Sequence, residues 1–351
     1  MKRHGIAAVG LMAMLAIVLG GCSLFTKTGW ETREDSLVSR LNIEFSQEQE
    51  GGIEGIDFEC VDRQKDALPP PPPLDIDKVV IIPKPLCPSG KVPQAKIRFD
   101  NHPKGRPLDL KDPNLKPLAV TCMYFERFGT ACYDWASSEQ WVTNYGGFAR
   151  LTQHSPAIDT VDGRHSLAEI FVGDPINAVE VGWRKAIYDV TRLFVFWWKN
   201  GEPKCYNREC AGYVQVDASY YPGMPISTSG DSQSYAIRRV GINWWVYYKS
   251  IPMGYYPDSL WDNQFTSASY VAYYGEVASI DSTGNTTTDM GNGLWPSNTR
   301  AARIDDQRFW DGLAWRYANT NKIASSPERY GVQATSSRSM RYGGPGCTSN
   351  C

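Results

Sequence analysis

The 351-residue sequence predicts an all-β fold, an antiparallel sandwich or barrel preceded by a smaller proline-rich region. Three observations carry this. The chain holds 12 Trp, 19 Tyr and 12 Phe, side chains that suit a pleated, half-buried surface. From about Leu118 onward, short runs of β-branched and aromatic residues are separated by Gly, Asn, Asp and Pro turns. No stretch sustains a helical period over three turns. Strands are expected at 168–172, 178–183, 192–198, 213–217, 236–248 and 269–277, and many short strands at this spacing argue for a sandwich or barrel.

Composition bounds the function. An apolar fraction of 42% is enough for a sizeable core, and the length argues for two regions. With 36 Lys+Arg against 38 Asp+Glu the net charge is −2, without the basic surplus of a nucleic-acid binder.

The elements follow in chain order. Lys2 and Arg3 precede an apolar stretch, Ile6 to Leu19, too short to span a bilayer as a stable helix. It ends in Leu19-Gly20-Gly21-Cys22, which resembles the lipobox of bacterial lipoproteins. Residues 1–21 are then a removed signal peptide, and Cys22 carries diacylglycerol. Ser23 follows Cys22, where an Asp would hold the protein in the inner membrane. The expected location is the outer membrane or cell surface, with the C-terminal region released on processing. Loss of Lys2 and Arg3 takes the mature charge to −4.

From Ser23 to about Pro117 the chain is polar and proline-laden. Pro69 to Pro73 reads as polyproline II and a stiff spacer, and 77–83 as one strand. Eight cysteines remain after Cys22: Cys60, Cys87, Cys122, Cys132, Cys205, Cys210, Cys347 and Cys351. An even count in an exported chain suggests disulfides. Zinc lacks its signatures, since no C-x-x-C or H-E-x-x-H occurs.

Two glutamates stand within apolar strands. In Ala178-Val179-Glu180-Val181-Gly182-Trp183, alternation puts Val179, Val181 and Trp183 on one face and Ala178, Glu180 and Gly182 on the other. The small neighbours leave space around the carboxylate for a substrate backbone. In Tyr270-Val271-Ala272-Tyr273-Tyr274-Gly275-Glu276-Val277, Glu276 shares a face with Tyr274, Ala272 and Tyr270. Pattern alone favours two solvent-facing strand glutamates.

Larger motifs change that balance. Glu180-Val181-Gly182-Trp183, Thr191-Arg192-Leu193-Phe194 and Cys205-Tyr206-Asn207 with Cys210 resemble the plant neprosin family of glutamic endopeptidases. Tyr274-Gly275-Glu276-Val277, Asp289-Met290-Gly291-Asn292-Gly293 and Tyr342-Gly343-Gly344-Pro345-Gly346 do so too, in the family's order. Ile56-Asp57-Phe58-Glu59-Cys60-Val61-Asp62 and Cys87-Pro88-Ser89-Gly90-Lys91-Val92-Pro93 are similar to the family's activation prodomain. The resemblance runs from about Gly55 to Cys351.

After the signal peptide at 1–21, the resemblance implies a prodomain with proline-rich linker at 22–117 and a catalytic antiparallel β-sandwich at 118–351. It implies Glu180 and Glu276 as the catalytic carboxylates, acting at acid pH after proline, from a zymogen whose own prodomain is the inhibitor. The partners are a peptide or protein substrate, proline-rich ones included, and a membrane at the lipid anchor. No metal or organic cofactor is needed. Trp183 and Tyr274 are expected to line the substrate site. The disulfides expected are Cys60–Cys87, Cys122–Cys132, Cys205–Cys210 and Cys347–Cys351. The family's penultimate cysteine, due near Tyr330, is missing, and Cys347 stands in its place.

The other motifs are weaker. Ser229-Gly230-Asp231-Ser232 is followed by Gln233 and Ser234, not glycines, and is no serine-protease signature. His154 and His165 read as loop residues. Trp197-Trp198 and Trp244-Trp245 read as strand pairs with one ring in the core and one at the surface. The alternative function is a cell-surface carbohydrate-binding or glycoside-hydrolysing sandwich, since aromatic grooves and paired carboxylates serve sugars too.

Overall fold

The computed structural model of the chain describes residues 44–45, 58–99, 121–125, 129–280 and 286–347. The expected signal peptide, the expected lipidation site Cys22 and Cys351 of the expected Cys347–Cys351 pair lie outside them. The strands are β1 (Glu44–Phe45), β2 (Phe58–Asp62), β3 (Ile81–Ile82), β4 (Lys91–Ala95), β5 (Thr121–Phe125), β6 (Gly129–Asn144), β7 (Gly146–Thr152), β8 (Gly163–Gly173), β9 (Ala178–Ala186), β10 (Thr191–Lys199) and β11 (Glu202–Tyr206). They continue as β12 (Val214–Gln215), β13 (Ser232–Val240), β14 (Asn243–Tyr248), β15 (Ile251–Pro257), β16 (Ala268–Ser279), β17 (Ala302–Trp310), β18 (Trp315–Tyr317), β19 (Asn321–Ala324), β20 (Gly331–Ser336) and β21 (Ser339–Gly343).

Two large antiparallel sheets form, as an all-β fold requires. The first runs β11-β10-β9-β8-β16-β6-β19, with β5 on β6. The second runs β12-β15-β14-β13-β7-β17-β21-β20, with β18 on β17. Val179, Val181 and Trp183 from the first sheet pack into one buried cluster with Leu151, Ile237, Val246 and Ile304 from the second. Alternation puts that cluster between the sheets, so the carboxylate-bearing residues of β9 and β16 lie on the opposite, outer face of the first sheet.

Several element expectations are corrected. The 236–248 run is a hairpin, in which β13 and β14 pair Val240 with Asn243 across Gly241-Ile242. Gly241 has φ +62°, the backbone that a two-residue hairpin turn asks of its first central residue. The 77–83 strand shrinks to Ile81–Ile82, and 213–217 to Val214–Gln215. The Trp-Trp pairs are not split between core and surface: all four indoles are buried, because the outer face is covered in both sheets, over Trp198 in the first and by the 67–76 segment over Trp245 in the second.

The proline segment is not a free spacer. Ala67, Leu74 and Ile76 pack against Phe148, Ala236, Trp245 and Tyr247 on the outer face of the second sheet. The Leu74 N–H donates to Ser250 O at 2.9 Å. The Asp77 carboxylate pairs with Arg150 and accepts from the hydroxyls of Ser234 and Ser250. A stiff polyproline run loses little entropy on docking, which suits it to this use.

The disulfides Cys60–Cys87, Cys122–Cys132 and Cys205–Cys210 are formed, with Cα separations of 5.7, 4.0 and 6.1 Å. Cys347 is also disulfide-bonded.

Candidate active site

Strand register assembles the acidic residues. On β8, Phe171 pairs with Glu180 of β9, Glu169 with Gly182 and Leu167 with Arg184. On its other side β8 meets β16, where Phe171 pairs with Ala272, Glu169 with Tyr274 and Leu167 with Glu276. All of these residues share one face. Glu180 and Glu276, 96 positions apart in the chain, therefore stand on strands flanking the same neighbour.

Neither glutamate faces solvent. Both are 0% exposed, as are Glu169 and His165. The pattern-based expectation of surface carboxylates fails because the outer face carries its own apolar cover. Trp135, Phe171, Phe194, Phe196, Trp198, Tyr270 and Tyr274 form a second buried cluster there, which Phe99 joins from the N-terminal region. The Phe99 N–H donates to the Glu209 carboxylate at 2.6 Å. The guanidinium of Arg184 lies over the rings of Phe99 and Tyr206, 5.3 and 5.1 Å from their centroids.

The carboxylates are held by ring N–H groups. Trp198 Nε1 donates to Glu180 Oε1 at 2.7 Å. Trp135 Nε1 donates to Glu276 Oε2 at 2.8 Å, and His165 Nε2 lies 2.9 Å from Glu276 Oε1. An indole N–H can only donate, so each tryptophan favours a carboxyl oxygen with a free lone pair.

Tyr274 lies on the carboxylate face, as strand alternation requires. Burial lifts its phenol well above the usual range, and the fields of Glu169, Glu180 and Glu276 push the same way. Burial does the same to Tyr133, with Glu276 contributing next.

Three readings are corrected. Trp183 does not line this face: it lies between the sheets, and its Nε1 donates to Thr152 O at 3.0 Å. Period-two alternation dictates that position, because Trp183 stands an odd number of residues from Glu180. The space above Gly182 is not open to substrate. A Cβ there would lie 2.0 Å from Ala168 O and 2.7 Å from Glu169 Cβ, so the glycine serves the close approach of β8. His165 is a strand residue against a catalytic candidate, not a loop residue.

Sequence reasoning misses Glu169 and Trp135 and the place of His165 and Trp198 at the site. Glu169 had a usable signal: it is a lone charge in the apolar run Leu167-Ala168-Glu169-Ile170-Phe171-Val172, where an unpaired carboxylate is costly. The two indole donors had none, because their partners are set by register.

A fourth buried carboxyl lies on the same face. Glu139 accepts a hydrogen bond from the Tyr270 hydroxyl, and burial lifts it from 4.5 to about 7 in spite of that bond. Its folded value lies above its unfolded one, so the folded state holds the proton more tightly. Its contribution is therefore fully present below about pH 4.5 and is lost as pH rises toward 7. Glu139→Gln should melt with the parent at pH 4 and be more stable at pH 7.5, by about 3 kcal/mol. Paired thermal melts check this; equal melting temperatures at both pH values would remove the ionisation penalty from Glu139.

Among solved structures the chain has distant likenesses. A Scytalido-glutamic peptidase with a peptide-based transition state analog shares 9% identity, over 60% of this chain and 98% of that one, at a TM-score of 0.34. SCP-B, a member of the Eqolisin family of peptidases in complex with the tripeptide Ala-Ile-His, shares 9% over the same fractions at 0.31. A homodimeric agglutinin from chicken liver shares 11%, over 41% of this chain and 95% of that one, at 0.25. At these scores the likenesses do not choose between peptide and sugar chemistry. The family comparison is of another kind. Residues 162–345 match the Neprosin model. That span is more than half of the chain and contains Glu180, Glu276 and the strands that pair them, so the protein belongs to the Neprosin family, the glutamic-type peptidases that its motifs resemble.

Proposed function

We propose that this chain is an acid-acting endopeptidase in which Glu276 is the general base and Glu180 the general acid, with cleavage after proline. The carrying observation is the pair of ring donors on Glu276. Glu276 meets ring nitrogens at both oxygens, Trp135 Nε1 and His165 Nε2, and with the hydrogen on Nε2 both favour the ionised carboxylate. In the reading proposed, Glu276 takes a proton from water as the water oxygen attacks the scissile carbonyl carbon. Glu180, protonated, gives its proton to the amide nitrogen as the C–N bond breaks. The products are a carboxyl and an amine, and the proton on Glu276 returns to Glu180 through water to restore the pair.

Zymogen storage is part of the same reading. With both carboxyls fully covered and Phe99 packed into the apolar cover of their face, a peptide can enter only after that cover has moved. Residues 22–117 act as the inhibitor in this proposal, anchored at Cys22. The carbohydrate alternative is less well supported, because Trp135 and Trp198 are buried and spend their N–H groups on the carboxylates rather than forming an exposed platform.

The general acid must be protonated while the base is ionised, so turnover should peak below neutrality and fall as the acid loses its proton. Processed ectodomain incubated at pH 3 to 8 with a proline-containing protein, with cut sites mapped by mass spectrometry, tests this. Cuts following proline and a rate maximum below pH 6 are expected. A rate that keeps rising to pH 8 would point to a serine nucleophile instead.

A further inference from the structure

We propose that Glu169 is a third member of the acid site, a positioning residue that acts on Glu180 and Glu276 from between them and is held there by Tyr274. The inference rests on the reading of those two glutamates as the catalytic pair.

Geometry carries it. β8 is the strand between β9 and β16. Glu180 is in register with Phe171 and Glu276 with Leu167, so position 169 is the midpoint of the diagonal that joins them. Each catalytic carboxyl is one strand and two residues away, about 8 Å between Cα atoms at standard sheet spacings and within reach of two glutamate side chains. On one side Glu169 lies over Gly182, where any Cβ would collide with it. On the other it is opposite Tyr274, whose hydroxyl hydrogen-bonds to it. The fields of all three carboxylates reach the Tyr274 phenol.

The surroundings decide the sign. The titratable and charged groups facing Glu169 are His165 on its own strand, Glu180 and Arg184 on β9, and Tyr274 and Glu276 on β16. Glu139 and Tyr133 on β6 and Tyr206 on β11 lie beyond them on the same face. The one cation of fixed charge in this set, Arg184, is stacked on Phe99 and Tyr206. A phenol that donates to Glu169 favours its ionised form. An ionised Glu169 midway between the pair makes a second ionisation beside it unfavourable, so it keeps the proton on Glu180 at a higher pH than the pair alone would. Glu169 touches no reacting atom in this scheme. It sets the pH range over which the acid stays loaded.

The test is the pH dependence of kcat/KM for the processed enzyme, on one peptide substrate, between pH 3 and 8. Glu169→Gln keeps the shape and removes the charge. Its alkaline limb should move toward acid by about one pH unit, with KM little changed. Tyr274→Phe should move the limb in the same direction, and the double variant should move it no further than Glu169→Gln alone. If Glu169→Gln fails to fold, Tyr274→Phe decides. A profile superimposable on the parent's overturns the proposal. So does loss of turnover at every pH in folded Glu169→Gln, which would make Glu169 a catalytic carboxyl. Glu180→Gln and Glu276→Gln run beside these variants keep the two readings apart: full turnover in either defeats the catalytic pair itself, whatever Glu169 does.

Discussion

Glu180→Gln and Glu276→Gln should each lower kcat by about 10³-fold or more while leaving the melting temperature within a few degrees of the parent. General acid or base catalysis by one positioned group contributes roughly 10²–10⁴-fold, and in the proposed mechanism each group serves a different proton transfer. Glutamine preserves the volume of the side chain and its acceptor oxygen, so Trp198 can still donate at position 180 and Trp135 at position 276. The amide can neither take a proton from water nor give one to a leaving nitrogen. The losses should not add in the double variant, because one missing proton transfer already stops the cycle. Single-turnover kinetics at the pH optimum, with melting curves as the control for folding, make the measurement. Near-normal turnover by either folded variant would defeat the assignment.

Gly182→Ala should be the most damaging small substitution near the site. The added methyl would lie 2.0 Å from Ala168 O and within 2.8 Å of the Glu169 backbone, and neither is the free end of a flexible side chain. The β8–β9 pair would have to separate or shear. Overpacking a core commonly costs 1–3 kcal/mol, and a clash with a neighbouring backbone belongs at or above about 3 kcal/mol. That corresponds to a fall of roughly 6–12 °C in melting temperature for a domain of 150–250 residues. Activity should fall with it, because the same movement displaces Glu169 and Glu180 relative to each other. A melting temperature within two degrees of the parent would show that the strand spacing at Gly182 is not fixed as described.

The strand alternation of β9 and β16 was legible from residue types alone. It sets Val179, Val181 and Trp183 against Glu180, and it groups Glu276 with Tyr274, because side-chain direction in a strand depends only on parity. The same rule should have removed Trp183 from the substrate site. The choice between a solvated and a buried glutamate was not legible, since parity names a face without saying what covers it. Here the cover comes from Trp135, Trp198, Tyr270 and Phe99, drawn from positions as far apart as 99 and 270.

The proline run shows the same limit from another side. Its composition specifies an extended, stiff conformation, which any Pro69–Pro73 segment would adopt. Whether that rod spans solvent or docks is decided by the outer face of the second sheet, where Trp245, Tyr247 and the Arg150 and Ser250 partners of Asp77 receive it.

By itself, then, the sequence determined what depends on near neighbours: the all-β class and the two faces of β9 and β16, while the family resemblance supplied the short disulfide loops 122–132 and 205–210. Only the tertiary structure decided what depends on register between distant strands. It placed Glu169 midway between Glu180 and Glu276, turned His165 and Trp135 onto Glu276, and closed a space above Gly182 that composition had left open. The physical reason is that sheet pairing joins backbone groups that are alike at every residue. The partner of a given side chain is therefore selected by the packing of the whole sheet, not by the side chain's own neighbours in the chain.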